Sequence, residues 1–565
     1  MHGNDYYRDT IIDEIPRLLS YLDREPYSQT YGSFDRFYWA WNAIEFSNAD
    51  LQKFTLPLAF VSRLDVPDNP FFEDERLLTW IDAAVLFCCT SQSKQGGFNQ
   101  WLPNDNSIVS AGFVIHDLIL VAELLDSILP HSTIVKLRGT ALKAANLLCR
   151  FEEKHGFNSN HMLACASALY DISSWLEGDY CTRYRERAND IIEKVISRQA
   201  KSGAFLEYFG GDPGYQTLAI AFLASCYRHN PDNPTILVAL RRAIDFSTYF
   251  LSPISGNGGF YGSRGTRLLY PSGFEIAAKH NLRPEAAALV RTIIERQLCI
   301  TPRNTDIINL IPLLSDYTRA YLQSSPRVSF SPKQLLLPDL FCTETTLFSL
   351  QKGADRIRGR LNGGMITIES AHRGCVIYSS AGYVLESAGT QKHSGFSGVL
   401  DGEWNRESNR MRFMSCFQKP NNIRMTPWKM LILKFSFNLF GNSMHINLLM
   451  KRMLGRLLLF NRPYLNVFLN REIILHDTHL TIVDTITNKS NNDYYLSHRP
   501  EGYVGFMGSA RYYDIANIGV FDEMILRLSR DGASEEKCKL SSDIFLPAHS
   551  ELDLTLAIPL STAPE

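Results

Sequence analysis

The period of the hydrophobic residues changes near residue 325, and that change limits the fold more than any other feature of the chain. Before it, apolar residues recur at helical spacing. Met162, Leu163, Ala166, Leu169 and Tyr170 follow Asn158 and Ser159, residue types that suit a helix cap. Tyr184, Ala188, Ile191, Ile192, Val195 and Ile196 repeat the pattern, as do Ile236, Leu237, Leu240, Ala243 and Ile244. Gly- and Pro-rich stretches at 210–214 and 252–265 separate such segments. Successive amphipathic helices of this kind build a bundle, a solenoid or an (α/α) toroid. Beyond the change, Leu552, Leu554, Leu556, Ile558 and Leu560 alternate, and Leu480, Ile482 and Asp484 to Ile486 do the same. Period two is the mark of a half-buried strand, and short strands between Gly, Asn and Ser read as a β-sandwich. At 565 residues one core is not enough. The expectation is an α+β multidomain chain, helical over 1–325 and antiparallel β over 326–565, with the linker at 324–338.

Charge removes some functions. Lys and Arg number 57 against 59 Asp and Glu, a net charge of −2, so the whole molecule does not attract nucleic acid. The 11 cysteines show no CxxC spacing, and no zinc or disulfide framework is legible. No His/Asp cluster has metal-ligand spacing, so neither metal nor cofactor is expected. The N-terminal MHGNDYYRDTIIDEIP carries charges where a signal peptide needs an apolar core, and no apolar run is long enough for a spanning helix. The chain as it stands is expected in the cytoplasm; a mis-assigned start would instead hide an export signal and place it in the periplasm.

One stretch departs from this balance. Between Ser408 and Arg471 there is no Asp or Glu, yet there are eleven cations: Arg410, Arg412, Lys419, Arg424, Lys429, Lys434, Lys451, Arg452, Arg456, Arg462 and Arg471. Apolar runs such as MLILKF and LLMKRMLGRLLLF lie between them. Three readings stand: ordinary strands with solvated charges, a grip on a polyanionic sugar, or peripheral contact of 410–471 with an anionic membrane. No nucleic-acid motif accompanies the charge.

Four strings of the helical half resemble the heparinase II/III-like family: YGSFDRFYWAW (31–41), FNSNHMLACASALY (157–170), GAFLEYFGGDPGYQTLAIAFLA (203–224) and GGFYGSRGTRLLYPSGFE (258–275). The third is the most specific. The resemblance implies an (α/α) toroid followed by an antiparallel β-sandwich. It also implies β-elimination on a uronic-acid polysaccharide, such as heparan sulfate or alginate. In those lyases an Asn-His pair on one toroid helix and a later Tyr form the helical side of the active site. Asn160-His161 and Tyr215 stand in that arrangement here.

Each residue suits a part of that chemistry. β-Elimination removes the proton beside the uronate carboxylate and expels the glycosidic oxygen, and the transition state needs donors aimed at the carboxylate. Asn160 can supply one, His161 can donate or move protons near neutral pH, and Tyr215 can take the proton or return it. Arg264 can pair with a uronate, and Glu207 and Tyr208 belong to the same strings. Each also has a plain structural role: a cap for Asn160, packing for His161 and Tyr215, a loop tie for Arg264. Glu207 with Asp212 would allow glycoside hydrolysis by paired carboxylates instead. The family's β-domain adds a His, a second Tyr and in some members a structural zinc. Here His372, Tyr383 and His393 are loose candidates, and the H-x-D type string is absent. That departure keeps a second function open: a non-catalytic glycan-binding or surface-polysaccharide assembly protein.

Overall fold

The structure is a computed structural model. It describes residues 5–152, 157–207, 210–258, 262–263, 266–324, 337–353, 355–360, 365–370, 374–379, 383–387, 392–394, 396–405, 407–419, 426–456, 463–498 and 544–560; several strands are described by backbone alone. Most of the 324–338 linker expectation falls outside these residues.

The first part is helical: α1 (Asp5–Tyr21), α2 (Arg36–Trp39), α3 (Thr55–Ser62), α4 (Glu75–Ser91), α5 (Ile108–Leu124), α6 (His131–Arg150), α7 (Ser159–Trp175), α8 (Tyr180–Ile196), α9 (Pro213–His229), α10 (Pro234–Thr248), α11 (Ser272–Lys279), α12 (Pro284–Glu295) and α13 (Ile307–Leu322). Helix α5 packs on α7, α7 on α9, α9 on α11 and α11 on α13; α13 returns to α3, and α3 packs on α5. The alternate helices α4, α6, α8, α10 and α12 lean on these from outside. Burial follows from that order. Helix α8 buries one stripe, Tyr184, Ala188, Ile191, Ile192 and Val195, whereas α7 is buried on nearly every side.

The interior of this helical part is ionic as well as apolar. Asp117 accepts from Arg319 at 2.8 Å and Ser315 at 2.5 Å, with Lys53 at 3.2 Å. Burial opposes its charge, but Lys53 and Arg319 hold it down at about 2. His116 donates from Nδ1 to Asp171, which His229 also meets at 2.8 Å. Burial and the nearby Arg319 push His116 down to about 4. Asp316 is bonded by the backbone N–H of Ser272 at 3.0 Å and by its hydroxyl, yet burial raises it to about 6.

The second part is antiparallel sheet. A long five-stranded sheet orders Phe396–Asn405, Arg410–Gln418, Tyr464–Leu475, His479–Asn488 and Glu551–Pro559. Two shorter sheets cover one of its faces. The meander Leu340–Cys342, Leu347–Lys352, Asp355–Arg360, Met365–Ser370 and Gly374–Ser379 packs Phe348, Leu350 and Ile357 on Met411, Phe413 and Ile473. The sheet of Ile544–Leu546, Tyr494–His498, Tyr383–Ser387 and Lys392–Ser394 packs Leu385 and Leu496 on Val467, Leu469 and Ile486. Arg471 lies buried in that layer, donating to Asp484 from Nε at 2.5 Å and from Nη2 at 2.6 Å.

One departure from the strand expectation is large. Within the basic stretch the chain leaves the long sheet and forms two helices, α14 (Pro427–Phe440) and α15 (Met444–Gly455), before returning. Thr426 caps α14 through the N–H of Lys429, and Pro427 occupies its first turn, where a missing N–H costs nothing. The hairpin rests on the helical part. Met444 and Leu448 join its core, Asn106 donates to Gly441 O at 3.0 Å, and Lys451 donates to Asp105 O at 2.6 Å.

Candidate active site at the start of α7 and α9

Helix α7 starts at a capping position that does not cap. Asn158 has the extended backbone of an N-cap, but its side chain makes no cap bond and lies 3.4 Å from Nδ1 of His161. Asn160 sits in the first turn and is fully buried, so it is not the cap that its residue type allowed. Its Nδ2 donates to Oε1 of Glu207 at 2.7 Å, while its Oδ1 meets no hydrogen-bond partner among the described residues. A buried amide oxygen without a donor is costly in a native interior, and each such case asks for an explanation.

Glu207 ties this turn to the start of α9. Its backbone pairs with that of Gly210. Gly210 has φ +131°, and an added Cβ would stand 2.8 Å from Thr345 O, so only glycine fits this close approach to the sheets. Asp212 then caps α9, its Oδ1 accepting from Gly214 N at 3.0 Å, Tyr215 N at 2.9 Å and Thr266 Oγ1 at 2.7 Å. Asp212, the second carboxylate of the hydrolysis alternative, thus holds the start of α9 through its Oδ1. Tyr215 follows in the first turn of α9, half-buried.

His161 is half-buried, with the Phe113 ring 5.9 Å away edge-on. A residue that sequence reasoning missed lies nearby. Burial pushes the Asp50 carboxyl up, while Ser110, Lys53, Gln100 and His161 all act to lower it. Gln100 donates to Asp50 at 2.6 Å. Nothing local in the sequence marks Asp50, because it reaches α5 and α7 only through the tertiary fold.

The β-side candidates fare differently. Tyr383 is buried in the sheet core, and its hydroxyl donates to Asp484 at 2.9 Å beside Arg471. That placement packs Tyr383 into the core between the sheets. His393 lies on a described strand, but its side chain is not described; Tyr208, Arg264 and His372 lie outside the described residues. The eleven cations also divide. Arg471 is wholly buried with Asp484, Arg410 and Arg412 meet Glu472 at 3.3 and 2.8 Å, and Lys434 meets Glu45 at 2.9 Å. Among the described residues they form no continuous basic groove.

No family model matches the sequence and no curated protein matches it. Among solved structures, the chain is similar to a chondroitin AC lyase of Streptomyces coelicolor A3, in complex with chondroitin sulphate. The TM-score is 0.49 at 9% identity, over 99% of this chain and 78% of that one. It is also similar to heparinase III, with TM-score 0.47 at 11% identity over 91% and 79%. A heparan sulfate lyase from Pedobacter heparinus gives TM-score 0.45 at 10% identity over 98% and 82%. At such scores and identities no residue role is carried over from those proteins.

Proposed function

We propose that the protein is a polysaccharide lyase that cleaves a uronic-acid-containing glycan by β-elimination. In this reading the helices of the first part form an (α/α) toroid and the layered sheets a β-sandwich. The observation that carries it is the buried Asn160 amide, held by Glu207 beside His161 and linked through the Glu207–Gly210 pairing to the turn that bears Tyr215. Glu207 takes one amide N–H of Asn160 and fixes the plane of the group. The second amide N–H of Asn160 is then assigned to the uronate carboxylate.

The chemistry assigned to the residues balances. Tyr215, as phenolate, takes the proton from the carbon beside the carboxylate. The electron pair left behind forms the carbon–carbon double bond, the glycosidic C–O bond breaks, and the leaving oxygen accepts a proton from His161 or back from Tyr215. Asn160 donates to the carboxylate as charge develops on it. Arg264, Tyr208, His372 and His393 remain proposed contacts to the glycan.

Near-ultraviolet absorbance of an unsaturated uronate tests this on a panel of uronic-acid polysaccharides. A rise that vanishes in Tyr215→Phe supports the assignment. Full activity in Tyr215→Phe or Asn160→Ala removes the residues from the mechanism. Retention of glycan with no product at all leaves a binding protein.

A further inference from the structure

Helix α14 turns its hydrophobic stripe the wrong way for a helix that only packs. Trp428, Leu431, Ile432, Phe435 and Leu439 recur at i, i+3, i+4, i+7 and i+11, which is one face of a helix. That face looks outward: Trp428 is 76% exposed, Ile432 67% and Phe435 66%. The opposite face holds Phe437, the one buried residue of α14, and Lys434, which bridges to Glu45. Helix α15 does the same on a smaller scale, burying Met444, Asn447 and Leu448 and exposing Leu449 and Met453. Its Arg452 and Arg456 are exposed one turn apart.

The orientation is fixed. Besides the Asn106 and Lys451 bonds, Gln95 donates to Asn442 O at 2.6 Å and Asn447 to Asn104 O at 2.9 Å, so the hairpin is tied to the helical part at its bend and along α15. An apolar stripe of this size on a surface asks for an occupant. We propose that the occupant is an anionic lipid bilayer, on which the hairpin lies flat with the stripe between the headgroups.

Charge and length choose this occupant. The hairpin itself carries no Asp or Glu, and its exposed Lys429, Arg452 and Arg456 match anionic headgroups. A second copy of the chain would bring the same cations against themselves. Fourteen residues of helix reach about 21 Å, less than the ~30 Å of a bilayer's hydrocarbon, and no described helix is long and apolar enough to cross a membrane. Trp428 at the helix start has the amphipathic ring that favours the headgroup level.

Co-sedimentation of the full chain with vesicles of phosphatidylglycerol and phosphatidylcholine, against vesicles of phosphatidylcholine alone, tests the proposal. Binding to the anionic vesicles is expected, weakened by salt. Leu431→Ser and Phe435→Ser are expected to weaken partition about ten-fold each. Arg452→Gln and Arg456→Gln are expected to weaken it about five-fold each. These positions are exposed, so thermal melting of every variant should match the parent. Absence of anionic-vesicle binding, or binding that all four variants retain, overturns the proposal. It is equally overturned by a dimer in light scattering that the Leu431 and Phe435 changes dissolve while vesicle binding persists.

Discussion

Two buried polar clusters in this protein look alike and differ in completeness. In the sheets, Arg471 makes two bonds to Asp484 and Tyr383 adds a third, so that charge, counter-charge and hydroxyl answer one another inside the core. At the start of α7, Asn160 is as deeply buried, but among the described residues its amide is answered on one side only. Folding alone demands the first arrangement, because an unmatched buried charge is costly. The second is read as part of the proposed glycan site. Asp484 and Asn160 should therefore fail in different ways.

The largest effect is expected at the matched cluster. Asp484→Ala strands the Arg471 guanidinium in the core and should cost about 3–5 kcal/mol in urea unfolding, with activity lost only as the fold is lost. Next comes the incomplete cluster. Tyr215→Phe should lower turnover roughly 10²–10⁴-fold, and Asn160→Ala roughly 10²–10³-fold. Tyr215→Phe should leave the unfolding midpoint within about 1 kcal/mol of the parent, whereas Asn160→Ala also removes the donor to Glu207 and should cost about 1–3 kcal/mol. Equal losses of stability in the Asp484 and Tyr215 variants would erase the distinction.

Smaller effects come from the ionic interior of the helices. Asp316 is raised from 3.8 to about 6, so its contribution is whole below the lower value and is lost as pH rises through about 6. Asp316→Asn keeps an acceptor for Ser272 and should gain about 1–3 kcal/mol at neutral pH, while flattening the stability profile between those values. His116 is lowered from 6.5 to about 4 by burial and Arg319, so the folded state resists its protonation. Stability should fall as pH drops through that window, and replacing His116 with Asn should remove that part of the acid slope, as followed by fluorescence-monitored unfolding.

The same contrast between outer and inner positions explains what can be read from the sequence. Helices α8 and α10 announce themselves because each buries a single stripe, and the strands at 479–488 and 551–559 do so by alternation. Helix α7, buried nearly all round, gives a blurred period, and its chemistry comes through a resemblance of short strings rather than through pattern. Asp50 is invisible because its neighbours are brought to it by folding. The hairpin is legible in principle, with Thr426-Pro427 as a helix start and the 428/431/432/435/439 spacing behind it. It is masked by the strands on both sides and by an apolar face that points outward. The burial of Tyr383 is not legible, because a tyrosine on a strand reads the same whether it faces outward or into a core.

Elimination at the Asn160, His161 and Tyr215 end of the helices would show first in the masses of the first-formed products. Once an acidic polysaccharide is found that the protein cuts, the two fragments should together weigh what the substrate weighed, one of them carrying a new double bond, and neither should form in Tyr215→Phe. Fragments heavier by one water, formed at full rate without Tyr215, would mean hydrolysis and contradict the account.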